Sequence, residues 1–389
     1  MSYLEKLLKG VEIEWKDLGE HTIYEQPTKY RVKSTNYNDE FETPVLTAGK
    51  SFILGYTDEL NGIYYASKSP VIIFDDFTTA NKWVDFDFKV KSSAMKMITS
   101  KDESKLLLRF VYHWLNTLPS GLVAGDHKRQ WISNYAKKKI PIPPLEIQEE
   151  IVRILDTFTE LTAELTAELT ARKQQYEYYR EELLSFEEGD GSASSPQRVE
   201  WRTLGEVAEN LDSMRKPITS GLRESGDIPY YGASGIVDYV KDYIFDGDFL
   251  LVSEDGANLI ARNTPIAFSV SGKCWVNNHA HVLKFKSYSD RKFVEYFLNS
   301  IDLTQYISGA AQPKLNQKNL NSIKIPTPLP EIKEEIVAIL DKFDTLANSI
   351  SEGLPKEIEL RNKQYEYYRD LLLTFPSTNH EKHKRHEIQ

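Results

Sequence analysis

Two long stretches of the chain place apolar residues at alternating spacings of four and three, the pattern of a helix that buries one face. The first stretch covers residues 146–186 and the second covers residues 332–375. Each is typical of a coiled-coil seam, so we predict that the two helices bury these stripes against each other. The alternative is two separate amphipathic helices on the surface. The predicted seam residues are Ile151, Ile154, Phe158, Leu161, Leu165, Tyr176 and Tyr179 in the first helix and Ile336, Ile339, Phe343, Leu346, Tyr365 and Tyr368 in the second.

Prolines mark the entry to each predicted helix. Those at positions 141–144 and 326–330 favour an extended backbone, because proline restricts itself and the residue before it. At about 1.5 Å per residue, a continuous first helix spans roughly 60 Å. In the second helix, Gly353 and Pro355 predict a break or kink.

The blocks outside these helices have a different pattern. Short β-rich runs such as residues 71–74 and 249–252 alternate with Gly, Asn and Asp turns, and helical stretches such as residues 290–300 occur between them. We therefore predict two α+β domains.

The sequence is duplicated. Residues 139–158 return at 324–343 with 14 of 20 positions identical, and residues 172–186 return at 361–375 with 10 of 15 identical. A period of about 185 residues is far longer than that of a solenoid repeat, so it indicates a repeated domain and helix. The predicted segments are a domain at 1–140, a helix at 141–188, a linker at 189–199, a second domain at 200–325, a second helix at 326–376 and a polar tail at 377–389.

The net charge excludes few classes of function once it is counted segment by segment. The total is -10, and residues 1–140, 141–200, 201–325 and 326–389 contribute +2, -9, 0 and -3. The acidity therefore lies mostly in the first predicted helix, and two near-neutral domains can carry basic faces. With one cysteine, Cys274, no membrane-length apolar run and no signal peptide at the start, we expect a cytoplasmic protein.

Loops in both domains combine Lys, Arg, Asn, His, Ser and Thr, the side chains that bind phosphates and base edges. Each loop alone is as consistent with a solvated surface, but their occurrence in both domains favours nucleic-acid contact. The predicted DNA-binding residues are Lys50, Thr78, Thr79, Asn81, Lys82, Lys91, Ser92, Ser93, Lys96, Lys128 and Arg129 in the first domain and Arg215, Lys216, Ser234, Asn258, Arg262, Lys273, Asn277, Asn278, His279 and His281 in the second.

Catalytic motifs are missing from the sequence. It contains no Walker-type phosphate loop, dinucleotide fingerprint, HExxH, GxSxG or adenine-methyltransferase string. The acidic pairs at 75–76 and 254–255 follow apolar strands, where turn and cap roles are commoner than metal binding. We predict neither catalytic nor metal-binding residues.

Together these features resemble the specificity subunit of type I restriction-modification systems. The resemblance rests on IPIPPLEIQEEIVRILD, RKQQYEYYREELLSF and their second copies, and on strings such as TPVLTAGKSFILGYTDE and YYGASGIVDYV within the domains. It implies two target-recognition domains, each reading half of a bipartite DNA target, joined by two long antiparallel coiled-coil spacer helices. Gly353, Pro355 and Lys333, which stands where the first copy has Gln148, depart from an exact duplication.

The resemblance also implies partners. Two modification subunits would carry S-adenosylmethionine and methylate adenine, restriction subunits would act as motors and cut DNA, and this chain would hold no cofactor. Two alternatives belong to other classes: a self-contained restriction or modification enzyme, and a coiled-coil protein scaffold without DNA specificity.

Residues 162–171 read TAELTAELTA, a tandem four-residue unit within the first predicted helix. Ala, Glu and Leu all favour a helix, which is a sufficient reason for their presence. As a further hypothesis, the number of units sets the gap between the two halves of the target.

Overall fold

The computed structural model describes residues 10–11, 13–47, 51–119, 129–186, 199–309, 312–349 and 351–375. The chain divides into two compact units, one formed by residues 1–165 with 358–389 and the other by residues 166–357. The first unit is thus assembled from two separate stretches of the chain. The predicted linker and the polar tail lie almost entirely outside the described residues.

Strands are the commonest regular element of each unit outside the long helices. In the first unit they are β1 (Glu14–Asp17), β2 (Thr22–Glu25), β3 (Thr43–Leu46), β4 (Ile53–Thr57), β5 (Val71–Asp75), β6 (Asn81–Val84), β7 (Lys89–Val90), β8 (Met95–Ser100) and β9 (Lys139–Ile142). In the second they are β10 (Glu200–Thr203), β11 (Glu209–Asn210), β12 (Ser225–Gly232), β13 (Gly235–Val240), β14 (Phe245–Ser253), β15 (Ala267–Val276), β16 (Ala280–Lys284) and β17 (Lys324–Thr327).

Helices are short within the domains and long at the repeated segments. They are α1 (Leu18–His21), α2 (Leu108–Leu115), α3 (Gln130–Ser133), α4 (Leu145–Leu184), α5 (Leu204–Val207), α6 (Asn258–Ala261), α7 (Tyr288–Ser300), α8 (Gln317–Ser322), α9 (Pro330–Asn348) and α10 (Gly353–Leu372). Single 3-10 turns occur at Pro27–Tyr30, Tyr135–Lys137, Asp212–Met214, Ser220–Leu222 and Thr304–Tyr306. None of the helices in the described part of the chain is long and apolar enough to cross a membrane.

The first unit is built on a central buried strand, β5, whose five residues are all buried. Side chains alternate between the two faces of a strand. Ile72 and Phe74 accordingly join a core with α2, while Val71 and Ile73 join a second core with Met95. The sheets have the strand orders β2-β8-β5-β6 and β4-β3-β7.

The second unit repeats this plan with a six-stranded sheet in the order β11-β16-β14-β15-β12-β13. Its central strand β14 places Leu250 and Val252 in a core with α7, and Phe249 and Leu251 in a core on the opposite face. The α+β content predicted for both blocks is therefore observed.

A two-stranded antiparallel ribbon closes each domain just before its long helix. In the first unit β1 pairs with β9, with Trp15 opposite Pro141, and in the second β10 pairs with β17, with Trp201 opposite Pro326. The proline-rich entries are thus extended strands, because proline is tolerated at the edge of a sheet where its missing N–H is not needed.

The two long helices differ in continuity. Helix α4 runs unbroken for 40 residues, and the division between the two units falls within it, between Leu165 and Thr166. The corresponding second segment is two helices, α9 and α10, which confirms the break predicted at Gly353. Gly353 has a φ of 72°, and a Cβ there would lie 2.4 Å from the carbonyl oxygen of Thr345. No other residue fits this turn without a shift of the backbone.

Candidate nucleic-acid interface

The turn after β5 is held by the carboxylate that ends the strand. Asp75 Oδ1 accepts hydrogen bonds from the backbone N–H of Phe77, at 2.9 Å, and of Thr78, at 3.2 Å. The side chain of Thr78 is exposed, whereas that of Thr79, at a φ of 63°, is buried. Only Thr78 of this predicted pair is accessible to a ligand, and Asp75 acts as a turn cap.

Lys96 is buried beside this turn and paired within the protein. Its ammonium lies 3.6 Å from Asp76 Oδ2, and both side chains are 2% exposed. Asp76 Oδ1 also accepts a hydrogen bond from the backbone N–H of Trp131 at 2.8 Å. The DNA contact predicted for Lys96 is therefore wrong, because the ion pair ties β8 to α3 and leaves no accessible charge.

The other predicted side chains of the first unit are at least partly accessible. Lys82 and Arg129 are exposed, and the half-buried Lys91 holds its ammonium 5.7 Å from the ring centre of Tyr37. Asn81, Ser92 and Ser93 are half-buried. Lys50 and Lys128 lie outside the described residues.

In the second unit, His281 occupies the centre of a buried ion network. Its ring is 0% exposed, with Nδ1 2.6 Å from Asp212 Oδ2 and Nε2 2.6 Å from the carbonyl oxygen of Leu315. Both ring nitrogens are thus occupied by internal acceptors. The prediction that His281 contacts DNA is wrong.

Arg215 belongs to the same network. Its guanidinium lies 3.4 Å from Asp212 and 2.6 Å from Glu254, and it donates to the carbonyl oxygen of Ala280 at 2.9 Å. Burial acts to raise the pKa of Glu254, but the Arg215 hydrogen bond and the charge of His281 outweigh it and hold that pKa below its usual value. Glu254 is therefore charged and fixes the end of β14. Its ion pair occupies much of the guanidinium of Arg215, which leaves that side chain little capacity to contact DNA.

Three further predicted residues fix turns. Asn277 is buried and its Oδ1 accepts from the backbone N–H of His279 at 2.8 Å, which contradicts a direct DNA contact. Asn258 donates to the carbonyl oxygen of Thr264 at 2.9 Å. Arg262, at a φ of 50°, donates to the carbonyl oxygen of Ile301 at 2.7 Å and so caps the end of α7.

The remaining predicted side chains of the second unit are exposed. They are Lys216, Ser234, Lys273, Asn278 and His279. The Trp275 indole N–H donates to the carbonyl oxygen of Lys216 at 2.6 Å, and the His279 ring lies 2.8 Å from Asp255. These contacts fix the backbone of the Lys216 loop and the orientation of the His279 ring.

Corresponding loops in the two sheets carry different polar side chains. The loop between β7 and β8 holds Lys91, Ser92 and Ser93, and the loop between β15 and β16 holds Asn278 and His279. The strand before each loop, β7 or β15, pairs in parallel with the first strand of the edge hairpin, β3 or β12. The strand after each loop, β8 or β16, pairs with the central strand of its sheet, β5 or β14. One scaffold thus presents two different sets of hydrogen-bonding groups, which is what two different sequence readers require.

Sequence reasoning gave the acidic pairs at 75–76 and 254–255 turn and cap roles, but it missed their ion pairs with basic side chains, and it missed Asp212. Asp76, Asp212 and Glu254 each bind a basic side chain that the sequence assigns to DNA. Within the described ranges, no group of three His, Cys, Asp or Glu side chains could hold a metal ion. An acidic residue at the end of a buried strand, with a basic residue far away in the sequence, was the pattern that could have indicated these ion pairs.

A repeated aspartate joins each domain to its long helix. In the first unit, Asp156 Oδ1 of α4 lies 2.8 Å from both Arg109 Nε and His113 Nε2. The other ring nitrogen of His113 lies 3.1 Å from the hydroxyl of Tyr365. Arg109 also lies over the rings of Trp83 and Tyr112, so this cluster joins α2, α4 and α10.

The second unit uses the same aspartate with different donors. Asp341 of α9, which corresponds to Asp156, accepts from the hydroxyls of Tyr296 at 2.6 Å and Tyr288 at 2.8 Å. Residues 109–116 (RFVYHWLN) match residues 292–299 (KFVEYFLN), so Tyr296 occupies the position of His113. The contact between the aspartate of the long helix and the domain helix is duplicated, but only the first copy contains a histidine.

A second substitution has a matching explanation. Gln148 is buried, and its Oε1 accepts from the backbone N–H of Leu107 at 2.9 Å, just before α2. Lys333 instead pairs with Asp290, in the first turn of α7, at 2.5 Å. Each residue ties its long helix to the start of the equivalent domain helix.

Equivalent aromatic stacks occur within each unit. Phe158 and Tyr368 stack at 5.3 Å with rings 19° apart, and Phe343 and Tyr179 stack at 5.3 Å with rings 23° apart. By the repeat, Phe158 corresponds to Phe343 and Tyr368 to Tyr179. Among the other seam residues, Ile151, Tyr176 and Ile336 are buried, and Ile154, Leu161, Leu165, Ile339, Leu346 and Tyr365 are half-buried.

The histidine predicts acid sensitivity of the first unit. Burial is the largest cause that lowers the pKa of His113, against the opposing hydrogen bond with Asp156. The folded ring therefore stays neutral where the unfolded one, with a pKa of about 6.5, takes up a proton. The stability that His113 contributes is full above about pH 6.5 and is lost as pH falls toward its lower folded pKa.

Replacing His113 with Tyr, the residue of the second copy, should flatten the fall in thermal unfolding temperature between about pH 7 and 5. Calorimetry of the full chain across this range measures the slope. His279→Gln, at an exposed histidine, is the control. An unchanged slope in H113Y would show that the pKa of His113 does not differ between the folded and the unfolded chain.

These two units, each a mixed helix and sheet domain joined to long helices, define a duplicated recognition module. Residues 11–172 and 196–360 each match the type I restriction modification DNA specificity domain. The chain belongs to this family and carries two copies of the domain.

Known relatives agree over nearly the whole chain. The EcoR124I/EcoR124II specificity subunit of Escherichia coli is 52% identical over 404 residues, covering 97% of this chain and 98% of that one. A type I restriction-modification S subunit from M. genitalium has a similar structure, with a TM-score of 0.66 at 18% identity, covering 97% of this chain and 100% of that one. A chain from a structure of type I complex assembly gives a TM-score of 0.51 at 17% identity, over 93% and 97% of the two chains.

The predicted family and role are confirmed. The protein is the DNA sequence-recognition component of a type I restriction-modification complex, a subunit that lacks catalytic activity itself. The enzyme and scaffold alternatives are thereby set aside.

Proposed function

We propose that each domain reads one half of a bipartite DNA target. The observation that carries this is the pair of corresponding loops, in which one scaffold presents Lys91, Ser92 and Ser93 in one copy and Asn278 and His279 in the other. Different donors and acceptors at the same place select different base edges. Lys82 and Arg129 in the first domain and Lys216 and Lys273 in the second supply phosphate contacts.

The long helices are the spacer between the recognition domains in this proposal. Helix α4 runs one way and α9 with α10 returns, as an antiparallel coiled coil between target-recognition domains at residues 1–140 and 200–325. The aromatic stacks support this, since residues 158 and 179 pair with residues 368 and 343 in reversed order. The excess acidic charge of the first helix then faces solvent or partners and not phosphate.

Partners supply the chemistry. Two modification subunits that carry S-adenosylmethionine methylate adenine within the target, and restriction subunits move along DNA and cut it. The complex works on DNA in the cytoplasm, and this chain needs no cofactor of its own.

Charge removal tests the assigned face. Lys82→Ala with Lys216→Ala is expected to weaken duplex binding by about 10-fold or more at moderate salt and to lower the slope of log K against log salt by about 2, one per lost phosphate contact. Electrophoretic mobility of target DNA, with and without the modification subunit, measures both quantities.

Lys101→Ala with Lys138→Ala removes the same charge at residues that are not assigned to the interface. This control should leave the salt slope unchanged. Equal slopes for the wild-type chain and the Lys82/Lys216 variant would place the DNA face elsewhere.

A further inference from the structure

Each unit buries an acid and a base at the same place in its central sheet. In the first unit, Asp76 directly follows the central strand β5, and Lys96 on β8 pairs with the residue two positions before Asp76. In the second unit, Glu254 directly follows β14, and His281 on β16 pairs with the residue two positions before Glu254. The two acid–base pairs are therefore equivalent, with nitrogen and oxygen 3.6 Å apart in the first and 3.9 Å apart in the second.

A polar acceptor joins each pair from the neighbouring outer strand. With its amide oriented toward these donors, Gln26, just beyond β2, accepts from Lys96 Nζ at 3.0 Å and from Arg129 Nη1 at 3.3 Å. In the second unit, Asp212, just beyond β11, has its Oδ2 2.6 Å from His281 Nδ1. The residue two positions before each acceptor pairs with the residue two positions after the base, so the acceptors are equivalent as well.

The same groups hold the approach to the last short helix of each domain. The carbonyl oxygen of Asp76 accepts from the backbone N–H of the first residue of α3 at 2.9 Å, and that of Glu254 accepts from Leu315, two residues before α8, at 2.8 Å. Arg129 and Lys314 immediately precede these two donors, and both contact the acidic or amide groups. We call the two sets the polar clusters: Gln26, Asp76, Lys96 and Arg129 in the first unit, and Asp212, Arg215, Glu254, His281 and Lys314 in the second.

Side chains assigned to DNA stand next to the polar clusters in the sequence. In the first unit, Thr78 and Ser93 are two and three residues from a cluster member, and in the second, Lys216 and His279 are one and two residues away. The backbone N–H of Glu254 also donates to the carbonyl oxygen of His279 at 2.9 Å. Because base edges are distinguished by hydrogen bonds of narrow geometry, a displacement of these loops changes what they can read.

Stability alone does not account for the polar clusters. Asp76 and Lys96 are both 2% exposed and His281 is 0% exposed, yet a buried ion pair is often no more stabilising than apolar residues of the same volume. The two copies keep the positions and change the side chains, as the adjoining loops do. What both copies retain is a directional contact among three segments: the end of the central strand, the start of its neighbour and the approach to α3 or α8.

We propose that the polar clusters contain positioning residues for sequence reading: Asp76 with Lys96, and Glu254 with Arg215, hold the DNA-contacting loops of their own domain in place. This inference rests on the function proposed above. These four side chains touch no base and act through the loops that they join. Each cluster therefore governs one half of the target, the half that its own domain reads.

Removing both charges of a pair separates positioning from stability. Asp76→Asn with Lys96→Met nearly preserves volume and keeps the Oδ1 acceptor for the backbone N–H of Trp131, and Arg215→Met with Glu254→Gln is the counterpart in the second unit. Because a buried pair removed as a whole costs little stability, calorimetry of the full chain should give unfolding temperatures close to that of the wild type. Lys96→Met alone leaves Asp76 buried without its cation and should lower the unfolding temperature.

Genome-wide mapping of methyladenine, in a host that expresses each double variant with its partners, reads out the target. The first-unit variant should methylate sites with a substituted base in the first half at least about tenfold more often than the wild type, with the second half unchanged. The second-unit variant should do the reverse, so each variant is the control for the other. Lys292→Met with Glu295→Gln removes an ion pair of 2.8 Å within α7 and should leave both halves unchanged.

Three outcomes decide the matter. Unchanged targets in both double variants at wild-type stability would overturn the inference, and so would equal relaxation of both halves by a single variant. Gln26→Ala removes an exposed member of the first cluster and should relax the first half alone, even if the double variant does not fold; an intact first half in that case also counts against the proposal. A wild-type complex whose methylation sites share no bipartite target would instead sink the proposed function.

Discussion

A chain truncated after Phe186 is expected to form a homodimer that binds an inverted repeat of the first half-target. The first unit is incomplete without residues 358–389, which follow the second domain in sequence. The repeat supplies a substitute, because residues 172–186 correspond to residues 361–375. A second copy of the truncated chain can therefore provide the missing helix.

The aromatic stacks show why the replacement fits. In the full chain Phe158 stacks on Tyr368, and the corresponding Phe343 stacks on Tyr179. In the dimer, Phe158 of each copy meets Tyr179 of the other, a pair of side chains identical to those already stacked in both units. The apolar cluster formed with Leu372 and Leu373 is likewise restored by the corresponding Leu183 and Leu184.

Sedimentation equilibrium and binding to an inverted-repeat duplex check this result. Phe158→Ala in the truncated chain should weaken dimerisation by at least ~2 kcal/mol, about 30-fold, since both stacks are lost at once. Thr157→Ala, at an exposed position of the same helix, should not. A folded monomer at micromolar concentration would contradict the expectation.

Deleting residues 166–169, one TAEL unit, is expected to abolish methylation at the original target and to create a new target with the same halves and a shorter gap. Loss of four residues shortens the helix by about 6 Å and rotates its C-terminal part by roughly 40° about the helix axis. One base-pair step is about 3.4 Å and, at ten or so pairs per turn, about 35°. The deletion thus amounts to about two base pairs in translation and about one in rotation.

Genome-wide mapping of methyladenine in a host that expresses the variant with its partners measures the gap. Replacing the same four residues by alanines keeps the helix length and helix propensity, so it is the matched control and should leave the target unchanged. An unaltered gap after the deletion would sink the hypothesis that helix length sets the spacing.

Much of the fold can be predicted from the sequence because the relevant patterns are local or repeated. The seven-residue periodicity predicts α4, and Gly353 predicts the break before α10, since both depend on backbone geometry within a few residues. The duplicated strings predict two α+β domains. The sequence predicts that the two stripes pack together, but it does not predict that Phe158 meets Tyr368, because that pairing depends on the register of two helices far apart in the chain.

The candidate interface was less predictable than the fold. Lys96, Arg215 and His281 have the residue types of a DNA reader, yet each is paired with an acid in the interior. Whether a basic side chain forms an internal ion pair depends on which strand ends lie side by side. The composition of a loop does not contain that information. The exposed Lys216 and Asn278 directly follow the ion-paired Arg215 and the buried Asn277 in the sequence.

The interruption between α9 and α10 has a consequence for how such proteins diversify. One of the two long segments is a single helix of 40 residues, while the other is two helices, of which the first ends at Asn348 and the second begins at Gly353. The TAEL units lie in the uninterrupted helix, so gain or loss of a unit lengthens or shortens that helix and leaves the close-packed turn at Gly353 unchanged. A single slippage event in the repeat is therefore expected to change the target gap without altering the turn that interrupts the other segment.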